Sequence, residues 1–466
     1  MLIDDPTRLA TAAGLLLAYA GLCRFSWRRN HPVSARSRTE LATQNASGPD
    51  SQQPTLVAFA SQTGFGEELA EQAAGVLKAS GAQVRIAALG SLTLEDLQGC
   101  AKLLLIASTC REGDAPDNAR RFVDEVMRAE ASLAELPYLL LALGDRHYAH
   151  FCAFGRQLDA WLQGAGASAL APCIEVDGAD PLALCNWQHR LADIAQIDGP
   201  DTSKSVSWGY WRLQQRRLLN PGSVGAPVVE VTFEPVTGAG DSSHRLALPE
   251  WQAGDLLQLR AEGADSRPRT YSIASLPGSG AMQLLVRLHY TDADSTGLMS
   301  GLLCTEAPIG SLLQGRIRRN RNFQLGDNAD RPLILIGNGT GLAGLMAHLR
   351  QRAQGDDGRN WLIFGERHAA CDDFYHSELN DLEARDLLAR CDRVFSRDPP
   401  GGEYVQHRLN RAQATLRDWV ADGAAIYLCG NAVGMAPGVE QVLEDVLGTV
   451  TLKQLEAEGR LRRDVY

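Results

Sequence analysis

Within the run Arg267 to Ser275, RPRTYSIAS, four consecutive residues carry three kinds of chemistry: Arg269, Thr270, Tyr271 and Ser272. A strand sends alternate side chains to opposite faces, so Arg269 and Tyr271 would share one side and Thr270 and Ser272 the other. A guanidinium clamps a pyrophosphate, an aromatic ring covers a flavin, and a hydroxyl hydrogen-bonds near the flavin atom that receives a hydride. The plain alternative is a barrel strand with an exposed arginine. Its neighbours weigh on the choice.

Phosphate-handling patterns recur on both sides of this run. Leu56 to Ala60 is a continuous apolar strand followed by SQTGFGEELAEQAAGVL, a polar loop that opens a helix. The hydroxyls of Ser61 and Thr63, with Gly64 and Gly66 at the helix start, make a phosphate cradle from backbone N–H groups and the positive helix end. Leu103 to Ala107 runs into STCREGDAPDNARRF, and Tyr138 to Leu143 into GDRHYAHFCAFGRQLDAWL. Loops after successive parallel strands are where an open α/β sheet binds its ligand, and the third carries Tyr148, which can lie on an isoalloxazine ring. Farther on, Pro332 to Ile336 is a buried strand leading into GNGTGLAGLMAHLRQR. There Gly337, Gly339 and Gly341 permit a tight turn and close approach of a phosphate chain, ahead of an amphipathic helix. Two more strand-and-loop units follow, and AIYLCGNAVGMAPGVEQVL closes that sheet before Arg463-Asp464-Val465-Tyr466.

These patterns need three bodies to position them, and 466 residues suggest about three domains. Between the two α/β regions, WRLQQRRLLNPGSVGAPVVEVTFEP and WQAGDLLQL alternate as short strands with turn residues between them, which predicts an antiparallel barrel. With 45% hydrophobic and 22% charged residues the chain is globular, and a net charge of -11 argues against nucleic acid and leaves room for a basic protein partner. Ten cysteines without a C-x-x-C pair or a His/Cys cluster indicate neither a metal site nor a disulfide framework. Leu9 to Cys23 is apolar apart from Thr11, with Arg24, Arg28, Arg29, Arg36 and Arg38 after it. That predicts a membrane anchor at residues 1–29 in the inner (cytoplasmic) membrane, with the rest of the chain in the cytoplasm; a cleaved signal ending near Ala20 is the competing reading. Residues 30–54 then form a flexible tether.

The three loops of the first region resemble the FMN loops of the NADPH-dependent diflavin reductases, the family of cytochrome P450 reductase and the sulfite reductase flavoprotein. The later motifs match that family's FAD and NADPH domains in order. The resemblance covers nearly everything after residue 55. It implies α/β plus β-barrel architecture: a flavodoxin-like FMN domain at 55–197, a linker at 198–207, an antiparallel FAD-binding barrel at 208–328 and a ferredoxin-reductase-type NADP-binding α/β domain at 329–466. The resemblance implies that Ser61, Gln62, Thr63, Gly64, Phe65 and Gly66 hold the FMN phosphate. Ser108, Thr109, Glu112, Gly113 and Asp114, with Leu143, Gly144, Asp145 and Phe151, would line the FMN ring, and Tyr148 would stack on it. FAD would take Arg269, Thr270, Tyr271 and Ser272, with Gly297, Leu298, Met299 and Ser300 opening a helix at its pyrophosphate. NADPH would take Gly339, Thr340 and Gly341, with Ser396 and Arg397 on the 2′-phosphate and Tyr404 and Gln406 at the adenosine. Ser272, Cys429 and Asp464 would surround the hydride path, and Tyr466 would cover the FAD ring.

The chain departs from the family in four places. Cys110 stands where P450 reductases carry a second stacking tyrosine. Gly402 replaces a lysine, which throws phosphate affinity onto Arg397, and Gly344 replaces a proline of the glycine loop. Asp241 to Asp265 leaves no room for the usual helical connecting region. The implied activity is electron transfer from NADPH through FAD and FMN to a redox protein containing haem, sirohaem or iron. Alternatives are a sulfite reductase flavoprotein component, a membrane-associated ferric or siderophore reductase and, in a different class, a flavin-binding interaction module with weak turnover.

Overall fold

The computed structural model describes residues 53–110, 113–146, 148–197, 208–236, 249–261, 268–292, 295–355, 359–399 and 401–466. The expected anchor 1–29, nearly all of the tether 30–54, the linker 198–207 and Glu112 lie outside them. The membrane expectation is corrected. Among the described residues no helix is long and apolar enough to cross a membrane. The anchor, the membrane as partner and the inner-membrane placement fall with it.

The first sheet is parallel throughout, from β1 (Thr55–Ala60), β2 (Val84–Ala88), β3 (Lys102–Ser108), β4 (Pro137–Gly144), β5 (Ser168–Ala169) and β6 (Ile174–Asp177). Its order is β2-β1-β3-β4, with β5 and β6 both pairing β4. Helices α1 (Phe65–Ala79), α2 (Leu94–Gln98), α3 (Ala153–Gly164) and α4 (Pro181–Ala195) complete this region. β3 and β4 are apolar along their length because both faces are buried: Leu105 packs with Phe122 and Phe154, while Leu104 packs with Leu141 and Trp187 on the other side. The strand order reverses between β1 and β3, which puts a crevice at their carboxyl ends.

The second sheet is antiparallel, from β7 (Gly209–Leu218), β8 (Val228–Val236), β9 (Leu256–Arg260), β10 (Arg269–Ser272), β11 (Met282–Arg287) and, after the short β12 (Tyr290–Asp292) and β13 (Ser295–Thr296), β14 (Leu312–Arg318). Its order is β10-β9-β14-β7-β8-β11, and a bridge between Ile273 and Leu284 joins the ends into a barrel. Trp211, Phe233, Leu257 and Leu284 fill it. Helix α5 (Leu298–Gly301) runs straight into a wider π-type turn, Leu302–Glu306. No helix is described between β8 and β9.

The third sheet is again parallel: β15 (Leu333–Asn338), β16 (Asn360–Glu366), β17 (Arg390–Phe395), β18 (Ala425–Gly430) and β19 (Leu461–Val465), ordered β17-β16-β15-β18-β19. Its helices are α6 (Leu342–Gln354), α7 (Ala369–Asp372), α8 (His376–Ala384), α9 (Val405–Arg411), α10 (Gln413–Ala421), α11 (Met435–Leu447) and α12 (Thr449–Ala457). Two features differ from expectation. α6 is buried over nearly its whole length, His348 and Arg352 included, because the barrel side covers what would have been its polar face. And β18 does not close the sheet: the charged run at the carboxyl end adds β19 beyond it.

Candidate functional site

A cleft of about 700 Å³ opens where the barrel meets the carboxyl ends of the third sheet, at the switch point between β15 and β18. At its edge three distant segments converge, with Ser272 lining the cleft and Cys429 and Asp464 buried behind it. Ser272 at the end of β10 donates from Oγ to Asp464 Oδ2 at 2.7 Å, and Cys429 Sγ lies 3.7 Å from the same oxygen. Each is buried: Ser272 at the barrel rim, Cys429 on the central strand β18, Asp464 on β19. Burial pushes the Asp464 carboxyl above its ordinary range, against the pull of the Ser272 and Cys429 hydrogen bonds, and pushes the Cys429 thiol up as well.

Glycines fix how closely the loop after β15 approaches this group. A Cβ on Gly337 would sit 2.6 Å from the Cys429 carbonyl oxygen, and one on Gly341 would fall on the same carbonyl. Gly339 takes φ +60°. Gly344 is not part of the turn, as expected from sequence, but lies in the first turn of α6 with Phe323 and Cys429 Sγ in contact range of any side chain there.

Ser396, Arg397, Tyr404 and Gln406 line the same cleft, with Thr340 and Tyr466. Tyr466 is 56% exposed and its hydroxyl lies 3.2 Å from Thr340 Oγ1. Gly402 now has a physical reason: any Cβ would collide with the backbone of Ser396 and Arg397. Sequence reasoning missed Arg287, Glu366, Arg367 and Asn338, all of which line the cleft. Arg287 pairs with Glu366, a carboxyl that burial raises despite that arginine. Arg367 accepts a backbone bond from Arg397 N through its carbonyl at 2.8 Å, so two arginines stand on adjoining loops. Nothing in the string GERHAAC marked it.

On the barrel side Tyr271 and Ser272 reach the cleft, while Arg269 and Thr270 are exposed at the start of β10. The sequence run Gly297 to Ser300 does open a helix: Ser300 Oγ bonds the Gly297 carbonyl at 3.0 Å and receives His289 N at 3.1 Å. Leu298 points out and Met299 packs into the barrel core, so Met299 can serve a ligand only through its backbone.

The first region holds a separate set of loops. Ser61 is buried, its Oγ receiving Gly66 N at 3.1 Å and its own N–H reaching Asn118 at 2.9 Å. Gly64, at φ +80°, caps α1. Gln62 exchanges bonds with Asp117 at 3.0 and 3.1 Å. Cys110 and Asp114 exchange backbone bonds at 2.9 and 2.8 Å, closing a tight loop in which Gly113 takes φ +110°. Thr109 Oγ1 receives Phe154 N, so it braces α3. Gly144 leaves no space for a side chain beside Cys152 and Phe151, and Asp145 turns the loop by receiving Tyr148 N at 3.1 Å. The Phe151 ring lies under Arg146, 5.0 Å away. Tyr148 stands 57% exposed.

A flavodoxin family model matches residues 57–185, and a model of the oxidoreductase NAD-binding domain matches 335–441. The sulfite reductase [NADPH] flavoprotein alpha-component of Shewanella sp. (strain MR-7) is 27% identical over 581 residues, covering 97% of this chain and 96% of the relative. The proteins of the same name from Bacillus subtilis (strain 168) and Vibrio parahaemolyticus are 24% and 26% identical over 93% and 94% of this chain. The chain belongs to the diflavin reductase family. The aligned length exceeds the 466 residues here, so these relatives carry segments without counterpart in this diflavin reductase.

The residues present fit the family's cofactors. A buried serine, a left-handed glycine and a long helix start suit the phosphate of FMN, with the exposed Tyr148 for its ring. Tyr271 of the barrel and Tyr466 after β19 both line the cleft and would suit the flavin ring of FAD, and the arginines with Tyr404 would suit NADPH.

Proposed function

We infer that this diflavin reductase oxidises NADPH in the cleft and delivers electrons by way of its first domain to a protein acceptor. FAD, held at the cleft beside Tyr271 and Ser272, and FMN, held by the loops at Ser61 to Gly66 and Tyr148, would together supply the passage from a hydride pair to single electrons. The observation that carries the reading is the convergence of Ser272, which lines the cleft, with Asp464 and Cys429 directly behind it.

The roles follow from the hydrogen bonds. With Asp464 ionised, the Ser272 hydroxyl spends its proton on that carboxylate and offers only lone pairs to the cleft. With Asp464 protonated, the carboxyl donates to Ser272 Oγ, and the hydroxyl proton is free to point at a flavin nitrogen. Burial raises the Asp464 carboxyl and so shifts the balance toward this second arrangement. Cys429 packs against the same oxygen and holds its position. Arg397 and Arg367 present two cations for a 2′-phosphate, and Tyr466 shields the cleft edge until nicotinamide displaces it.

The acceptor is best read from the relatives, whose name makes them flavoprotein components of NADPH sulfite reductase. On that reading the acceptor is a sirohaem protein. The assembled group disfavours an interaction module with weak turnover, because binding alone needs no buried Ser-Asp pair.

The test is NADPH oxidation by the purified chain with cytochrome c, ferricyanide and a sulfite reductase haem subunit offered in turn. Turnover with ferricyanide alone would leave the first domain without its assigned part. No turnover with any acceptor would sink the reading.

A further inference from the structure

The last residue of β14, Arg318, belongs to the barrel but does not serve it. Its Nη2 donates to Thr63 Oγ1 at 3.2 Å, across to the cradle of the first domain, and its guanidinium carbon lies 4.9 Å from the Phe65 ring centre. The side chain is almost wholly buried, 7% exposed, and its Nε has no hydrogen-bond partner. Neighbouring arginines on the same run are matched to carboxylates: Arg316 to Glu68, and Arg321 to Glu67 and Glu71. Among the described residues Arg318 has no such ion pair. Burial first, and the nearby Arg316 charge next, push its pKa down to about 10 against the pull of the Glu68 carboxylate. Asn322, four residues on, donates to the carbonyls of Ser61 and Gln62 at 2.7 and 3.3 Å, which holds this run against the cradle.

A buried guanidinium with an idle N–H costs stability unless an anion meets it. Thr63 and Phe65 flank Gly64, the residue that caps the fifteen-residue α1, so the arginine and the positive helix end address the same point. We propose that Arg318, supplied by the barrel, completes the phosphate site of the FMN cradle in the first domain. The proposal rests on the reading that this domain binds FMN. The phosphomonoester would then be held from two domains at once, and its binding would be linked to their docking.

Riboflavin, which lacks the phosphate, separates this role from any other. The full chain is stripped of flavin and saturated with FAD. It is then titrated with FMN and with riboflavin, followed by quenching of flavin fluorescence, for the wild type, Arg318→Ala and Arg318→Lys. A lost charge-assisted hydrogen bond should raise the FMN Kd roughly ten- to a hundredfold in Arg318→Ala, leave riboflavin unchanged, and be partly restored in Arg318→Lys. Equal weakening of both flavins, or no weakening of FMN, overturns the proposal. If Arg318→Ala also fails to hold FAD, the comparison passes to Arg318→Lys and Arg318→Gln, with the same two outcomes. A wild-type chain that takes up neither FMN nor riboflavin would instead overturn the FMN reading of the first domain.

Discussion

Asp464 is a carboxyl kept from water with a serine and a thiol as its polar company, and that makes two measurements informative. Ser272→Ala should slow flavin reduction by NADPH on the order of a hundredfold in stopped flow with FAD content unchanged, since a preorganised donor is lost. The double change with Asp464→Asn should cost less than the product of the singles; full additivity would mean the two act separately. Stability gives an independent check. A carboxyl whose folded pKa is raised favours the fold while protonated, so its contribution is present below the ordinary value of 3.8 and is lost as pH rises through the raised one. Relative to wild type, Asp464→Asn should therefore gain stability as pH climbs through that window, read from the urea midpoint of FAD release. A difference independent of pH would refute the assignment. At the other end of the cleft, Arg397→Ala should weaken NADPH roughly ten- to a hundredfold and spare NADH, and Arg367→Ala should do the same to a smaller degree. Equal losses for both nucleotides would make these arginines structural. Arg397 was legible from its motif; Arg367 was not, because only the packing of two loops brings it near.

Elements were legible where one physical demand governed them. β1, β3, β4 and β15 are apolar runs because parallel strands are covered on both faces, and the loops after them carry the glycines and hydroxyls that a phosphate needs. β19 broke that rule. Leu461-Arg462-Arg463-Asp464-Val465 reads as a solvated tail, yet Arg463 and Asp464 are both buried, since other elements supply their partners. The polar face expected of α6 failed for a related reason: Arg352 is buried and donates from Nε to Asn360 Oδ1 at 2.9 Å, and His348 packs among Phe323 and Tyr427. Burial holds the His348 pKa down to about 3. A depressed histidine contributes stability above its ordinary value of 6.5 that is lost as pH falls, because the unfolded chain takes the proton first. His348→Met should flatten acid destabilisation between pH 6.5 and about 3, a change of a few kcal/mol at the acid end. An unaltered acid limb would show that other groups govern it.

The whole molecule is tied together by what sequence could not display: contacts between residues hundreds of positions apart. Strand β19 sends Asp464 to Ser272 of the barrel, while the preceding Arg463, on the opposite face, lies 3.1 Å from Asp117 of the first domain. Arg463 also pairs with Glu440 at 2.8 Å and Glu456 at 2.7 Å in its own domain, and Arg120 reaches across to Glu456 at 2.9 Å. Burial alone would raise the Asp117 carboxyl; Arg463 first and Arg120 next more than offset it and hold it low. One short edge strand therefore serves the hydride group and the docking of the first domain together. Arg463→Met would leave these carboxylates facing one another, a loss of the order of 3–5 kcal/mol for a broken buried pair. The first domain should then detach more readily, seen as a larger radius in small-angle scattering. Electron delivery to cytochrome c should change while NADPH-driven ferricyanide reduction persists, because Asp464 stays on the far face of the strand. If both activities fell in step, with the radius unchanged, Arg463 would be bracing the hydride group through its neighbour and the docking role would belong to the Glu67, Glu68 and Glu71 pairs with Arg316 and Arg321.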